Sequence, residues 1–140
     1  MKPINILLVE DNEGDILLTT EALDESKIIN KISVIKDGKA AITFFERLSE
    51  NDIWPDLVLL DVNLPKMNGH EVLNYLKNND TYKNIPVIML TTSSSEKDIM
   101  AAYNSYVNCY ITKSIDVADF MDAIVKIEEF WINIVSIPRR

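Results

Sequence analysis

The sequence predicts an α/β fold, a doubly wound sandwich built on a five-stranded parallel sheet. Five short apolar runs alternate with five stretches whose apolar residues recur at helical spacing, so the order of elements is (βα)5. The runs lack the strict polar alternation of a half-exposed strand, which indicates strands that helices bury on both faces. Right-handed crossovers between such strands place helices on both sides of the sheet.

Short apolar runs bounded by turn-forming residues predict the five strands. We expect these strands at Ile4–Val9, 32–35, Leu57–Leu60, 86–90 and 107–111. Asp37 and Gly38 follow the second run, and Pro55 and Asp56 open the third, as turn residues commonly do. The spacing between runs leaves room for a crossover helix after each of the first four strands.

Apolar residues three and four positions apart predict the helices. We expect the first four helical stretches at 16–23, 40–48, 72–76 and 99–103. A serine run at 93–95 followed by Glu96 is typical of an N-cap before the fourth helix. Asp116, with Asp119 three positions later, predicts the start of a long fifth helix.

Length and charge limit the class of protein. The chain has 140 residues, enough for one domain, and no glycine- or proline-rich stretch divides it. Lys and Arg number 14 against 22 Asp and Glu, so the net charge is −8. This balance argues against nucleic acid or an anionic membrane surface as the main partner, because both bind clustered Lys and Arg. We expect one domain over residues 1–140, without an output domain.

Nothing in the sequence predicts a membrane anchor, a signal peptide or a disulfide framework. The longest apolar runs span a handful of residues, whereas a transmembrane helix needs roughly 20. The N-terminus passes straight into a strand-like run, and a single cysteine, Cys109, excludes an internal disulfide. These features predict a cytoplasmic protein, with Cys109 as a small core residue of the fifth strand.

Polar side chains follow four of the predicted strands within one or two positions. Glu10 and Asp11 follow the first strand, Asp61 the third, Thr91 the fourth and Lys113 the fifth. Because the carboxyl ends of parallel strands meet at one edge of the sheet, we expect these side chains to converge there. Crowded carboxylates repel one another unless a cation neutralises them, and oxygen ligands suit a hard ion such as Mg²⁺. A carboxylate in such a site can act as a nucleophile and become an acyl phosphate.

Each of these residues also has an ordinary explanation when it is considered alone. Asp11 fits a solvated loop acid or a helix cap, Lys113 a surface lysine, and Thr91 the first residue of a helix. Asp61 is harder to explain in this way, because four apolar residues precede it. Only the convergence of four strand ends favours a phosphoryl-transfer site, in which Lys113 and Thr91 contact phosphoryl oxygens.

Five motifs together resemble the receiver domain of two-component response regulators. They are Ile-Leu-Leu-Val-Glu-Asp-Asn at 6–12, Leu-Val-Leu-Leu-Asp-Val-Asn-Leu-Pro at 57–65, Met-Asn-Gly at 67–69, Val-Ile-Met-Leu-Thr-Thr at 87–92 and Cys-Tyr-Ile-Thr-Lys at 109–113. The resemblance covers essentially the whole chain. It implies a flavodoxin-like fold with strand order 2-1-3-4-5 and a phosphoryl group accepted from a sensor histidine kinase.

The resemblance also implies a phosphoacceptor and a metal site. Asp61 corresponds to the phosphoacceptor. Asp11 and Asp61 correspond to direct Mg²⁺ ligands, and the backbone carbonyl of Asn63 to a third ligand. Glu10 takes the place of the family's first acid, which acts through a metal-bound water.

Three further residues correspond to the family's switch machinery. Thr91 resembles the switch hydroxyl that moves toward the phosphoryl group, and Lys113 resembles the lysine that contacts it. Tyr110 resembles the aromatic switch residue whose ring turns inward on activation, although a half-buried strand aromatic would look the same in the sequence. The resemblance thus implies a phosphorylation-controlled switch of protein–protein contacts.

The C-terminal part of the match is similar to small stand-alone regulators that partner bacterial phytochrome-type kinases. The segments 108–113 and 127–131 carry this similarity. Two positions depart from the family: Ser114 replaces the proline that usually follows the lysine, and Ser105 and Tyr106 occur where a glycine often ends the fourth helix. Because a non-proline cis peptide bond costs about 3–4 kcal/mol, we expect a trans Lys113–Ser114 bond.

Three other functions remain open from the residues. A degenerate receiver would act only as a binding module, independently of phosphorylation. An Mg²⁺-dependent aspartyl-phosphate phosphatase of the haloacid-dehalogenase type would need Asp-x-Asp, but Asn63 stands two positions after Asp61. A flavodoxin-like cofactor binder would need a phosphate-cradling loop after the first strand, where residues 10–15 hold four acids. His70, the only histidine, is expected to be a surface helix residue.

Two apolar stripes along the last helix predict a homodimer. The first stripe holds Val117, Phe120, Ile124, Ile127, Trp131 and Ile134, and the second holds Met121, Val125, Ile132 and Val135. A helix over 117–135 would be about 27 Å long. A six-residue strand spans about 20 Å, so the end at Phe130 and Trp131 should overhang the sheet and need a partner. The alternative is an end that folds back over its own core.

Overall fold

The structure is a computed structural model that describes residues 3–25, 30–113 and 116–130. Its centre is a five-stranded parallel sheet in the order β2-β1-β3-β4-β5. The strands are β1 Ile4–Val9, β2 Asn30–Ile35, β3 Leu57–Leu60, β4 Val87–Thr91 and β5 Cys109–Thr112. The predicted doubly wound, flavodoxin-like fold and its strand order are therefore confirmed.

The described helices alternate with the strands along the chain. They are α1 Glu13–Asp24, α2 Gly38–Glu46, α3 Gly69–Lys77, α4 Glu96–Asn104 and α5 Val117–Glu128. Each begins after a side chain that accepts a backbone N–H of the first turn: Asn12, Asp37, Asn68, Ser95 and Asp116. The predicted starts of α4 and α5 are confirmed. The first three helices begin two or three residues before their apolar patterns, because the cap sets the first residue.

Burial differs between the centre of the sheet and its edges. Strands β1, β3 and β4 are buried along almost their whole length, whereas β2 and β5 are mostly half-buried or exposed. The prediction that helices bury every strand on both faces is therefore wrong for these two. An edge strand has a neighbour on one side only, so fewer side chains surround it.

Two apolar layers cover the sheet. One layer joins α2, α3 and α4 to the sheet around Phe45 and Leu73, and the other joins α1 and α5 around Leu23 and Ile124. Phe120, Ile124 and Ile127 of the first predicted stripe pack into the second layer, so this stripe covers the protein's own sheet. Residues 131–140, which include Trp131 and the predicted overhang, lie outside the described residues.

Tyr106 has an unusual backbone conformation after α4. Its φ is +66° and its side chain is largely exposed. A left-handed backbone costs an L-residue roughly 1–2 kcal/mol, and this is the position where the family resemblance leads us to expect glycine. The turn between α4 and β5 is therefore formed without the residue that fits it best.

No described helix combines the length and the apolar character needed to cross a lipid bilayer.

Candidate functional site

The sheet itself positions the residues that follow its strands. Hydrogen bonds continue one residue past the ladder: the Glu10 N–H donates to Ile35 O at 3.0 Å, and the Asp61 N–H donates to Val9 O at 3.1 Å. The Lys113 N–H likewise donates to the carbonyl oxygen of Thr91 at 2.7 Å. Backbone hydrogen bonds to neighbouring strands therefore fix the main-chain positions of Glu10, Asp61 and Lys113.

Three carboxylates converge at this edge, as the sequence predicts. Glu10, Asp11 and Asp61 each place one carboxylate oxygen within 4.8 Å of the other two. Glu10 and Asp61 are buried and Asp11 is exposed, so the cluster opens to solvent on one side. Burial raises the pKa of Glu10 to about 7, assisted by Asp61 and opposed by the hydrogen bond from Lys113. This donor set fits a divalent cation, which would stabilise the charged carboxylates.

The Glu10 carboxylate also organises the loop after β1. Its Oε2 accepts the N–H of Asp11 at 3.1 Å and the N–H of Asn12 at 3.3 Å. Its other oxygen accepts a hydrogen bond from Lys113 Nζ. One buried carboxylate thus connects the start of the β1–α1 loop to the end of β5.

Lys113 lies among carboxylates in the interior. Its side chain is 3% exposed, and Nζ contacts Glu10 Oε1, Asp15 Oδ2 at 2.9 Å and Asp61 Oδ2 at 3.8 Å. Burial lowers the pKa of Lys113, but the carboxylates outweigh this effect and raise the pKa above its ordinary value. Lys113 is therefore a charged ammonium beside the candidate phosphoacceptor.

Asp15 is a site residue that the strand-end pattern did not predict. It lies in the first turn of α1, where its N–H donates to the side chain of Asn12 at 2.9 Å. Its partner Lys113 is 98 positions away in the sequence, so no local pattern connects the two. The available signal was an additional acid in an acidic loop, which by itself indicates only a solvated face.

The two predicted switch residues, Thr91 and Tyr110, meet at Ser93. Thr91 is the fully buried last residue of β4, and its Oγ1 accepts the Ser93 N–H at 3.3 Å. The Tyr110 hydroxyl donates to Ser93 O at 2.8 Å, and burial raises its pKa. Both side chains therefore contact the β4–α4 loop, one from the sheet centre and one from the sheet edge.

Close packing fixes the loop that follows Asp61. A Cβ on Gly69 would lie 2.1 Å from the carbonyl oxygen of Asp61, and a Cβ on Gly38 would lie 1.8 Å from that of Met67. The Asn63 N–H donates to Asp61 Oδ1 at 3.4 Å, so the predicted third ligand residue lies beside the candidate phosphoacceptor. Only glycine allows these backbones to approach so closely.

His70 differs from its expected place on the surface. Its side chain is 21% exposed, and Nε2 lies 3.0 Å from Asp98 Oδ1, while Asp98 also accepts the Ser93 hydroxyl. Cys109 is half-buried beside the α1–α5 layer, and burial raises the pKa of its thiol. Ser114 and the predicted trans bond lie outside the described residues.

Comparison with known proteins identifies relatives over nearly the full chain. The family model of the response regulator receiver domain matches residues 6–125. The response regulator Rcp1 of Synechocystis sp. is 44% identical over 138 residues, which cover 97% of this chain and 94% of that protein.

Solved structures agree with the sequence relatives. The crystal structure of the Mn²⁺-bound form of Rcp1 has a TM-score of 0.92 at 44% identity and covers 98% of this chain and 100% of that one. The structure of the phosphorylated cyanobacterial phytochrome response regulator RcpA has a TM-score of 0.94 at 42% identity, with 99% and 100% coverage. The predicted resemblance is confirmed: the chain belongs to the response regulator receiver family.

Proposed function

We propose that Asp61 accepts a phosphoryl group from a sensor histidine kinase and that this phosphorylation alters the contacts of the protein with other proteins. The convergence of Glu10, Asp11, Asp61 and Lys113 at one sheet edge supports this proposal most strongly. A carboxylate oxygen of Asp61 attacks the phosphorus atom. The bond between phosphorus and the kinase histidine nitrogen breaks as the bond to Asp61 forms, and the histidine keeps the electron pair.

We assign the cation as Mg²⁺. Asp11, Asp61 and the Asn63 backbone carbonyl would bind it directly, and Glu10 would bind it through a water. The bound ion would neutralise the carboxylates and attract the incoming phosphoryl oxygens. The relative Rcp1 has a crystal structure in a Mn²⁺-bound form, which supports a divalent cation as the ligand of this family.

Lys113 and Thr91 would stabilise the phosphorylated state. Lys113 Nζ lies 3.8 Å from Asp61 Oδ2, close enough to reach phosphoryl oxygens after a small rotation. Thr91 supplies a hydroxyl from the next strand. Because Thr91 and Tyr110 share Ser93, a movement of the β4–α4 loop toward the phosphoryl group would change the Tyr110 hydrogen bond. The altered surface near β5 would be the output.

We infer the partners from the relatives. A phytochrome-type histidine kinase is the proposed phosphoryl donor, because the phosphorylated relative is a phytochrome response regulator. Phosphotransfer from a phytochrome-type kinase should exceed transfer from an unrelated histidine kinase by at least tenfold in initial rate. Equal rates would contradict this choice of partner.

The test of the phosphoacceptor is intact mass after incubation with acetyl phosphate and Mg²⁺. The wild-type protein should gain the mass of one phosphoryl group, and Asp61→Asn should gain none. Asp80→Asn is the matched control, because Asp80 is an exposed acid paired with Lys83 away from the site. Phosphorylation of Asp61→Asn at the wild-type rate would show that the assigned nucleophile is wrong. A wild-type protein that gains no mass would favour the degenerate binding module.

We also propose a single-domain regulator over residues 1–140 that forms a homodimer through its C-terminal helix. The second apolar stripe of the sequence supports this, because Phe120, Ile124 and Ile127 of the first stripe already pack into the protein's own core. Met121 of the second stripe also contacts that core, and Ile132 and Val135 lie outside the described residues. Two-fold dimers are the commonest oligomers. Sedimentation at micromolar concentration, with and without beryllofluoride as a phosphoryl mimic, tests the proposal. A monomer under both conditions would contradict it.

A further inference from the structure

Asp15 is a carboxylate partner of Lys113 that has no role in the proposed phosphoryl chemistry. Asp15 Oδ2 lies 2.9 Å from Lys113 Nζ, whereas Asp61 Oδ2 lies 3.8 Å from it. The shorter contact is a hydrogen bond and the longer one is not. The ammonium therefore lies closer to Asp15 of α1 than to the candidate phosphoacceptor.

The position of Asp15 is fixed by the start of α1. Its N–H donates to the Asn12 side chain at 2.9 Å, which anchors the residue in the first turn. A negative charge in the first turn of a helix is favourable, so the carboxylate is stable where it stands. Its side chain is 28% exposed, against 3% for Lys113, so the contact lies where the site opens toward solvent.

We propose that Asp15 is a positioning residue that holds Lys113 off Asp61, so that the Asp61 carboxylate stays available to a divalent cation. The inference rests on the proposed function of the site. An ammonium and a divalent cation compete for the same carboxylate, because each is attracted to its oxygens. Without Asp15, the ammonium of Lys113 loses one of its two hydrogen-bonded partners and moves onto Asp61.

Two simpler roles for Asp15 make different predictions. A purely structural ion pair would stabilise α1 against β5 and leave the affinity for the cation unchanged. A general electrostatic effect of one more acid would raise cation affinity whether or not Lys113 is present. A positioning role requires that the effect of Asp15 depend on Lys113, which a double-mutant cycle measures.

The experiment is calorimetric titration of the full chain with Mg²⁺, repeated with Mn²⁺. Asp15→Asn should weaken cation binding about fivefold to tenfold in the presence of Lys113. The same change in a Lys113→Met background should alter binding by less than twofold. Asp15→Glu should restore most of the affinity, because the longer carboxylate can still reach the ammonium.

Glu13→Gln is the matched control. Glu13 is an exposed acid in the same first turn, and its partner is Lys36 rather than Lys113. This variant should bind the cation as the wild type does. Thermal unfolding of every variant confirms that it is folded, and Lys113→Gln replaces Lys113→Met if the latter does not fold.

Two results would overturn the inference. One is an unchanged cation affinity in Asp15→Asn, which would mean that Asp15 and Lys113 form a purely structural ion pair. The other is an equal loss of affinity in both backgrounds, which would leave a general charge effect. Because the cycle measures binding and not phosphorylation, it is independent of the intact-mass test of Asp61. If the cycle gives the expected coupling between Asp15 and Lys113 but the wild-type protein gains no phosphoryl mass, only the proposed function is refuted.

Discussion

The buried Lys113 and the half-buried Lys77 lie at opposite ends of the sheet and have opposite surroundings. At the carboxyl end, Lys113 contacts carboxylates, and these raise its pKa. At the amino end, Lys77 closes α3 and donates to Lys83 O and Ile85 O at 3.0 Å and to Asn108 Oδ1 at 2.9 Å. Burial lowers the pKa of Lys77, and no carboxylate among its described partners offsets this.

The difference separates a lysine whose donors meet neutral oxygens from a lysine held among carboxylates. Neutral oxygens satisfy the three donors of Lys77 and tie the end of α3 to the start of β4 and β5. At the other end, four carboxylates (Glu10, Asp11, Asp15 and Asp61) and one ammonium leave a formal charge of −3. Such a surplus of negative charge is unfavourable for the folded state unless a cation neutralises it.

The largest expected effect comes from removing the lysine at the carboxyl end. Lys113→Met should destabilise the metal-free protein by about 3 kcal/mol, because it removes the ammonium group that pairs with the buried carboxylates. Added Mg²⁺ should recover a large part of this loss by replacing the missing positive charge. Chemical denaturation with and without Mg²⁺ measures both quantities.

Lys77→Met is the matched control at the amino end. It leaves neutral oxygens unsatisfied and should cost about 1–2 kcal/mol, with no recovery on addition of Mg²⁺. The free energy of unfolding in both conditions is again the measurement. If Mg²⁺ rescued both lysine variants equally, the distinction between the two ends would be wrong.

The second largest effect is expected at Gly69, which packs against the backbone of Asp61, the proposed phosphoacceptor. Gly69→Ala would place its Cβ 2.1 Å from the Asp61 carbonyl oxygen, so the backbone must shift. We expect a loss of about 2 kcal/mol in stability, together with slower phosphorylation, since the shift displaces Asp61. Denaturation and the rate of mass gain from acetyl phosphate measure the two effects.

Gly14→Ala is the control for the same substitution. A Cβ there would meet only the Asn12 side chain, at 3.3 Å, and alanine favours the helix. The change in stability should stay within about 0.5 kcal/mol. Normal phosphorylation of Gly69→Ala would show that the packing beneath Asp61 is not required for the reaction.

The sequence could predict much of the site because each strand-end residue follows an apolar run within one or two positions. Asp61 and Lys113 need no tertiary information beyond the parallel sheet to be placed at one edge. Asp15 could not be predicted in this way, because a helix turn brings it to the edge and its partner belongs to the last strand. Lys77 was missed because its hydrogen-bond partners are two backbone carbonyls and an amide.

The boundaries of the elements show the same limit. Apolar runs predicted β1 and β3 with their correct first and last residues, because these strands are buried throughout. The starts of α1, α2 and α3 were predicted too late, because polar caps rather than apolar residues determine them. Patterns of burial predict the middle of an element better than its ends.

A third prediction compares two left-handed residues, one at each end of the sheet. Tyr106 has φ +66° at the amino end, and Lys66 has φ +68° in the β3–α3 loop at the carboxyl end. Tyr106→Gly should stabilise the protein by about 0.5–1 kcal/mol, because glycine relieves the strain and the tyrosine ring is exposed. Phosphorylation should not change.

Lys66→Gly is the companion variant. It should relieve similar strain, but its loop joins Asp61 to α3, so we expect the rate of phosphorylation to change as well. Denaturation and mass gain are measured side by side for both variants. A destabilised Tyr106→Gly would show that the tyrosine side chain contributes more than its backbone strain costs.

The smallest expected effect is a pH dependence of the stability, caused by residues at the carboxyl end of the sheet. The pKa of Asp98 is lowered by the hydrogen bond from Ser93 and by the contact with His70. A carboxyl group with a lowered pKa in the folded state adds stability above its unfolded value, near 3.8, and loses it as the pH falls through the folded value. Glu10 has the opposite sign in the metal-free protein: its contribution is present below 4.5 and is lost as the pH rises through about 7.

Asp98→Asn should therefore reduce the loss of stability below about pH 4. Ser93→Ala should reduce it in part, since it removes the larger of the two causes. Unfolding free energies are measured at closely spaced pH values from 2.5 to 8, without divalent cations. They separate the loss of stability below about pH 4, assigned to Asp98, from the loss near neutral pH, assigned to Glu10. If Asp98→Asn lost as much stability below about pH 4 as the wild type does, the Ser93–Asp98–His70 contacts would not contribute to the stability of the folded state.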